Sequence, residues 1–382
     1  ALEDSAVLRF DLNRLQQMHT EHPGFSARLF HSFALRLARR VRVGNARMFS
    51  RDSRSRAVES VGSVTTPHIP TDLVMVVAVS HGLRALLDAD EDVLSPERVG
   101  EANHRLVAAL ARNAKADPGS LDEVGTAIRR ETHAVLARSK LLQHCQGGDH
   151  LPHQAIEAML NNEVMSRNPL GRSLERWFLE QPLAQGLREA AQFSAKFLEG
   201  RYDPDVGAWR VTSLARMASA KIFQVIEHLP SSANMRLTCV DSDLDALARV
   251  SERAQALAMQ DQVSLVRLDV LVQGMIRTRL RLGAQDLILY MPLNAKMTDT
   301  AMLDLLDEIH GLLAPEGIFL LGQLVFPDGP RLYLEHVLDL RLMNWSSEKL
   351  TGLVARSAFG NRFEWVEDDT CKYCRFLALS RD

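Results

Sequence analysis

From Trp209 onward, short apolar runs alternate with segments whose apolar residues recur every three or four positions, a pattern that predicts strands alternating with helices. Val211 to Ala215 reads as a buried parallel strand, and Met217, Ile222, Val225 and Ile226 place a helix over Met217 to His228. Leu229 to Asn234 breaks that helix with Pro, Ser and Asn. Leu237 to Val240 then resumes an apolar strand that closes on Asp241, with Asp243 just beyond. The alternation continues through a helix at Leu244 to Ala258, a strand at Val263 to Leu268 closing on Asp269, and a strand at Asp286 to Met291. A helix at Thr300 to Leu313, a strand at Ile318 to Leu324, two more helical stretches and a strand at Cys374 to Leu379 follow, and the short Asp368 to Thr370 turn predicts a closing antiparallel hairpin. Residues 201–382 are therefore expected to form a doubly wound, Rossmann-like α/β domain.

Upstream the period is helical. Leu73 to Leu87, Pro96 to Lys115, Pro118 to Leu142, His153 to Met165, Leu174 to Leu179 and Leu183 to Leu198 make a helical region over 71–200, and Ser95-Pro96-Glu97 and Asp117-Pro118 supply cap-and-proline starts. Arg47 to Pro70 is rich in Arg, Ser, Thr and Pro without apolar periodicity, so 47–70 reads as a solvated linker. Ahead of it come a short strand at Val7 to Phe10, a helix that Asp11 caps and Pro23-Gly24 ends, and a long helix from Phe25 to Val43. On that last helix Leu29, Phe33, Leu37 and Val41 form an apolar stripe opposite arginines. Such a stripe predicts a homodimer through the helix 25–43.

Composition narrows the class. With 46% hydrophobic and 24% charged residues among 382, the chain has ordinary globular composition, enough for two or three domains. No run of eighteen apolar residues and no basic-then-apolar start occurs, so a membrane partner and a signal peptide are not expected and the cytoplasm is. Ala1 in place of Met is expected of a processed chain or of one that begins inside a longer protein. A net charge of -3 argues against nucleic acid as a partner, and four cysteines do not make a disulfide scaffold.

The chemistry should sit where the first strands end. An acid closing the second strand is where a nucleotide-binding α/β fold holds ribose hydroxyls, which makes Asp241 and Asp243 candidates; a plain helix cap is the competing reading for both. The first turn, Ala215, Arg216, Met217, Ala218, Ser219, lacks the glycine that lets a phosphate or adenosyl group approach the backbone. Ala215, Met217, Asp241, Asp243, Asp269 and Met291 thus form the candidate cofactor-binding set. His144, Cys145, Asp149, His150, His153 and Glu157 have ligand chemistry but no repeated ligand pair, so no metal is expected. Cys371-Lys372-Tyr373-Cys374 lies in a predicted strand without a second pair, and no Gly-x-Ser-x-Gly is present.

Two resemblances add to this reading. LEDSAVLRFDLNRLQQMHTEHPGFSARLFHSFALRLARRV, residues 2–41, resembles the end of a cyclic-nucleotide-binding domain, so 1–46 is expected to be its C-terminal part, without the phosphate-binding cassette. From about Lys140 to the end, the chain resembles the bacterial class I methyltransferase-like family of 3-hydroxy fatty acid methyl ester biosynthesis. Gly148-Asp149 match that family's loop, IEAMLNNEVMSRNPLGRSLERWFLEQPLAQGLREA matches its helices, and Val240-Asp241-Ser242-Asp243 keep its acidic pair. Its glycine-bearing first turn is here Ala215 to Ser219, with Lys221 where an acid belongs. Its motif after the fourth strand is replaced by Pro292 to Met297, and its Pro-Gly-Gly is Pro315-Glu316-Gly317.

What the family implies is S-adenosylmethionine as cofactor and Gly148 with Asp149 as a substrate or lid loop at the mouth of the domain. The framework positions survive while the contact positions change. The expectation is a degenerate, non-catalytic methyltransferase-like protein that senses a small ligand or binds a protein, with adenosylmethionine binding doubtful. The alternative is an active methyltransferase acting on a 3-hydroxy fatty acyl carboxylate or similar small molecule.

Overall fold

The computed structural model describes residues 71–88, 95–116, 121–148, 151–203, 208–214, 220–228, 235–270, 283–293, 297–343 and 345–382. The chain divides at Ile69, and all of these residues belong to the unit Ile69–Asp382. The expected cyclic-nucleotide-domain tail, the linker and the dimerising helix 25–43 lie outside the described residues.

A seven-stranded sheet forms the frame. Its strands are β1 (Trp209–Leu214), β2 (Met235–Asp241), β3 (Val263–Arg267), β4 (Gln285–Tyr290), β5 (Leu313–Leu324), β6 (Phe363–Val366) and β7 (Cys374–Ser380), in the order β3-β2-β1-β4-β5-β7-β6. The first five run parallel, and β7 is antiparallel to both β5 and β6, as the Asp368 to Thr370 turn predicts. β1, β2 and β4 are buried along almost their whole length, which is why they read as unbroken apolar runs. Edge strand β3 is half wet and leaves Leu265 exposed. The alternation of side chains splits the core in two. Val211, Leu237, Leu289 and Phe376 face one layer of helices, while Leu214, Val240, Tyr290 and Leu377 face the other.

The first layer contains α1 (Thr71–Arg84), α2 (Pro96–Ala116), α3 (Leu121–Leu136), α4 (Lys140–Cys145), α5 (His153–Asn161), α6 (Pro169–Leu179), α7 (Pro182–Arg201), α8 (Ala220–His228) and α9 (Leu244–Ala256). The second contains α10 (Asp299–Leu312) and α12 (Ser347–Arg356); between them in sequence, α11 (Asp328–Leu332) runs on into a π-helical turn, Tyr333–Val337. Two helical expectations are corrected. The helix expected over Pro118 to Leu142 is broken at Ser139, whose hydroxyl caps α4 by accepting from the Leu142 N–H. The helix expected at Leu174 starts at Pro169 instead, because Asn168 caps it and proline suits the first turn.

The break at Ser139 is fixed by Glu175, whose side chain is fully buried on α6. Its carboxylate accepts from the Ser139 hydroxyl (3.0 Å), the Leu141 N–H (3.0 Å), the Met165 N–H (2.6 Å), and both the N–H (2.9 Å) and the hydroxyl (2.5 Å) of Ser166. One carboxylate thus ties α4, α6 and the connection after α5 together, with neutral donors in place of a cation. β5 also begins earlier than the expected Ile318. Glu316 has φ 63°, the register slips between Gln285 and Leu287, and a Cβ on Gly317 would meet the Gln285 carbonyl at 2.7 Å. The Pro315-Glu316-Gly317 step is therefore a bulge inside the strand.

Candidate functional site

A cleft of about 480 Å³ opens where β1 and β2 approach their carboxyl ends, a size within the range of small-molecule sites. Its floor is Ser213 of β1 with Cys239, Val240 and Asp241 of β2; its walls are α5, α8 and α9. Each helix turns one face to it. α5 gives His153, Ile156, Glu157 and Leu160, α8 gives Phe223, Gln224 and Glu227, and α9 gives Ala246, Arg249, Val250 and Arg253, with Leu257 at its C-cap.

Asp241 closes the apolar run of β2 and is buried. Its Oδ1 accepts from the Asp243 N–H at 2.8 Å, which turns the chain into α9. Asp243 caps that helix, accepting from the N–H groups of Asp245 (2.9 Å) and Ala246 (3.5 Å). The two acids therefore have different work: Asp243 is the helix cap, and Asp241 faces the cleft. Beside Asp241, burial and then the Asp241 charge push the Cys239 thiol up to about 12. The Ser213 hydroxyl is buried and has no hydrogen-bond partner among the described residues. His153 Nε2 lies 3.3 Å from Glu157 Oε2, an ion-pair distance without hydrogen-bond geometry.

The other candidates lie elsewhere or outside the described residues. Met291 is buried against Gly322, where a Cβ would meet its Cε at 2.7 Å, and it belongs to the core rather than to the cleft. Asp269 is exposed after β3; burial and, second, the Asp269 charge push the Tyr290 phenol up. Gly148 is half-buried, and its neighbour Gly147 donates to the Leu338 carbonyl (2.9 Å), which ties this loop to the segment after β5. Ala215, Met217 and Asp149 lie outside the described residues. Among the described residues no three His, Cys, Asp or Glu side chains cluster as a metal site would require, and no helix is long and apolar enough to cross a membrane.

No family model and no curated protein matches this sequence. Solved structures do match in fold. A possible exported protein from Bordetella parapertussis is 17% identical with a TM-score of 0.52, over 84% of this chain and 99% of that one. The CurJ carbon methyltransferase is 14% identical with a TM-score of 0.43, over 82% and 92%. The magnesium protoporphyrin IX methyltransferase of Synechocystis PCC 6803, solved with bound SAM, is 13% identical with a TM-score of 0.35, over 52% and 84%. The parallel strand order β3-β2-β1-β4-β5 makes the fold Rossmann-like.

The described residues fit an adenosyl cofactor only in part. Asp241 stands where a ribose-binding acid belongs and is part of the cleft lining. At β4 the fit fails, because Met291 and Pro292 are buried and closed off from the cleft. The lining on α5, α8 and α9 was missed from sequence. A signal existed in Ala246, Val250, Arg253 and Leu257, which recur at helical spacing, but an amphipathic stripe looks the same whether core or ligand covers it.

Proposed function

We propose that this chain is a methyltransferase-like protein that does not carry out methyl transfer and uses the cleft at β1 and β2 to bind a small ligand in a regulatory role. The observation that carries this reading is that the cleft reaches Asp241 but not Met291. A ligand can be held at the ribose side, while the end of β4 is filled by core packing. The sequence of the first turn agrees: Ala215 to Ser219 has no glycine, and Arg216 and Lys221 bring positive charge that opposes a sulfonium. Four unbridged cysteines suit a reducing, cytoplasmic setting. The Leu29, Phe33, Leu37, Val41 stripe supports a homodimer through 25–43, and the resemblance of 1–46 to a cyclic-nucleotide-domain tail suits a regulatory protein.

Calorimetry with S-adenosylmethionine tests this. Micromolar binding needs about 8 kcal/mol, whereas one charged contact at Asp241 supplies roughly 1.5–3 kcal/mol. No saturable binding in that range is expected. Saturable binding together with methyl transfer would establish the second reading, an active methyltransferase on a 3-hydroxy fatty acyl carboxylate, which the cleft-facing Asp241 favours.

A further inference from the structure

The shape of the cleft points to a ligand class. Ala246, Val250 and Arg253 of α9, with Leu257 at its C-cap, form one stripe along the cleft, and at 1.5 Å per residue that stripe is about 16 Å long. The opening is thus longer than a compact headgroup needs. Its polar end is the floor, lined by Asp241 and by Ser213, which pairs with Cys239 two residues before Asp241; Ser213 is 1% exposed and its hydroxyl has no partner among the described residues. Along the stripe the walls are largely apolar, with Ile156 from α5, Phe223 from α8 and Val250 from α9 among the lining. The charged lining is unequal in sign: Asp241, Glu157, Glu227 and Glu252 stand against Arg249 and Arg253.

We propose that this cleft takes a linear aliphatic amine, its ammonium beside Asp241 and Ser213 and its chain along α9. The proposal rests on the reading of the cleft as a ligand site. A buried hydroxyl oxygen can accept from an ammonium, and a carboxylate answers its charge. A carboxylate head would instead bring like charges together beside Asp241. The apolar stem is bound by removing its surface from water against Ile156, Phe223, Val250 and Leu257.

The test is calorimetric titration of the full chain with n-decylamine below its micellar concentration, beside decanoate and S-adenosylhomocysteine. The expected result is saturable, one-to-one binding of the amine, with decanoate at least about tenfold weaker. Val250→Trp, which fills the cleft midway, should abolish binding; Ser213→Ala, which removes only the hydroxyl, should weaken it even if the tryptophan variant fails to fold. Thermal melts establish that each variant is folded. Absence of amine binding, equal binding of decanoate, or amine binding untouched in a folded Val250→Trp would overturn the proposal. Binding of adenosylhomocysteine without the amine would overturn the amine while leaving a ligand site in place. Methyl transfer with saturable adenosylmethionine binding tests the non-catalytic reading separately.

Discussion

Glu175 accepts a hydrogen bond of 3.0 Å from Ser139, so a buried carboxylate on one helix holds the residue that caps another 36 positions earlier. Four further donors converge on the same carboxylate, and no water is needed to satisfy it. Glu175→Gln would turn an amide NH2 toward these donors and leave some of them unpaired. With charged hydrogen bonds contributing about 1.5–3 kcal/mol each, the expected loss of stability is about 3 kcal/mol or more. Urea unfolding measures it, and a loss under about 1 kcal/mol would show that the network is dispensable.

Two glycines on α7 should respond in opposite directions. A Cβ on Gly186 would come within 2.7 Å of the Tyr373 carbonyl oxygen and 2.9 Å of Leu324 Cδ2, where the helix lies on the sheet. A Cβ on Gly200 would meet nothing within 4 Å. Gly186→Ala should therefore destabilise by about 1–3 kcal/mol through overpacking, despite alanine's better helix propensity. Gly200→Ala should be neutral to stabilising by up to about 1 kcal/mol. Melting temperatures that moved the same way would contradict the packing of α7.

The parallel sheet was legible because β1, β2 and β4 are buried on both faces and so read as continuous apolar runs, and the closing hairpin because its turn is polar. The break at Ser139 was hidden. Ser139 sits inside helical periodicity, and what interrupts the helix is Glu175, a partner that sequence spacing does not reveal. The bulge at Glu316 likewise depends on the neighbouring carbonyl of Gln285. At the site, Asp241 could be read from its place at a strand end. Met291 occupies the equivalent place on β4 yet belongs to the core and not to the cleft, because the absent side chain at Gly322 lets it pack there. Strand-end position alone could not tell these two residues apart.

The hairpin turn has a pH-dependent tie. Asp368 accepts from Lys196 Nζ at 2.7 Å and from the Thr370 N–H at 2.9 Å, and these bonds hold its carboxyl at about 2, below the ordinary 3.8. A depressed folded-state value means that the stabilisation is fully present above 3.8 and is lost as pH falls toward about 2. Lys196 is largely exposed, so the effect is modest and screened by salt. Asp368→Asn should lower the melting temperature at neutral pH, with the gap to the parent closing in acid. A gap that stayed constant from pH 6 to pH 2.5 would remove the tie.

Thiol reactivity offers the last test, because it reads both the sheet and the cleft. Burial pushes the Cys145 thiol up to about 12; burial, then the Asp241 charge, does the same for Cys239. Burial raises Cys374 and the half-buried Cys371 as well. A thiol at 12 is ionised at pH 7 in only about one molecule in 10^5, and the thiolate is the nucleophile. Native protein should therefore react slowly with an aromatic disulfide reagent, Cys371 first because it alone of the four is not fully buried. Guanidinium should release all four at once. Cys239 is the informative position: it forms part of the cleft floor, yet the residue is only 3% exposed, so an open cleft does not by itself make it reactive. Rapid native labelling mapped to Cys239 by peptide mass would mean that the floor of the cleft is more open than the packing of Ser213, Val240 and Phe223 allows.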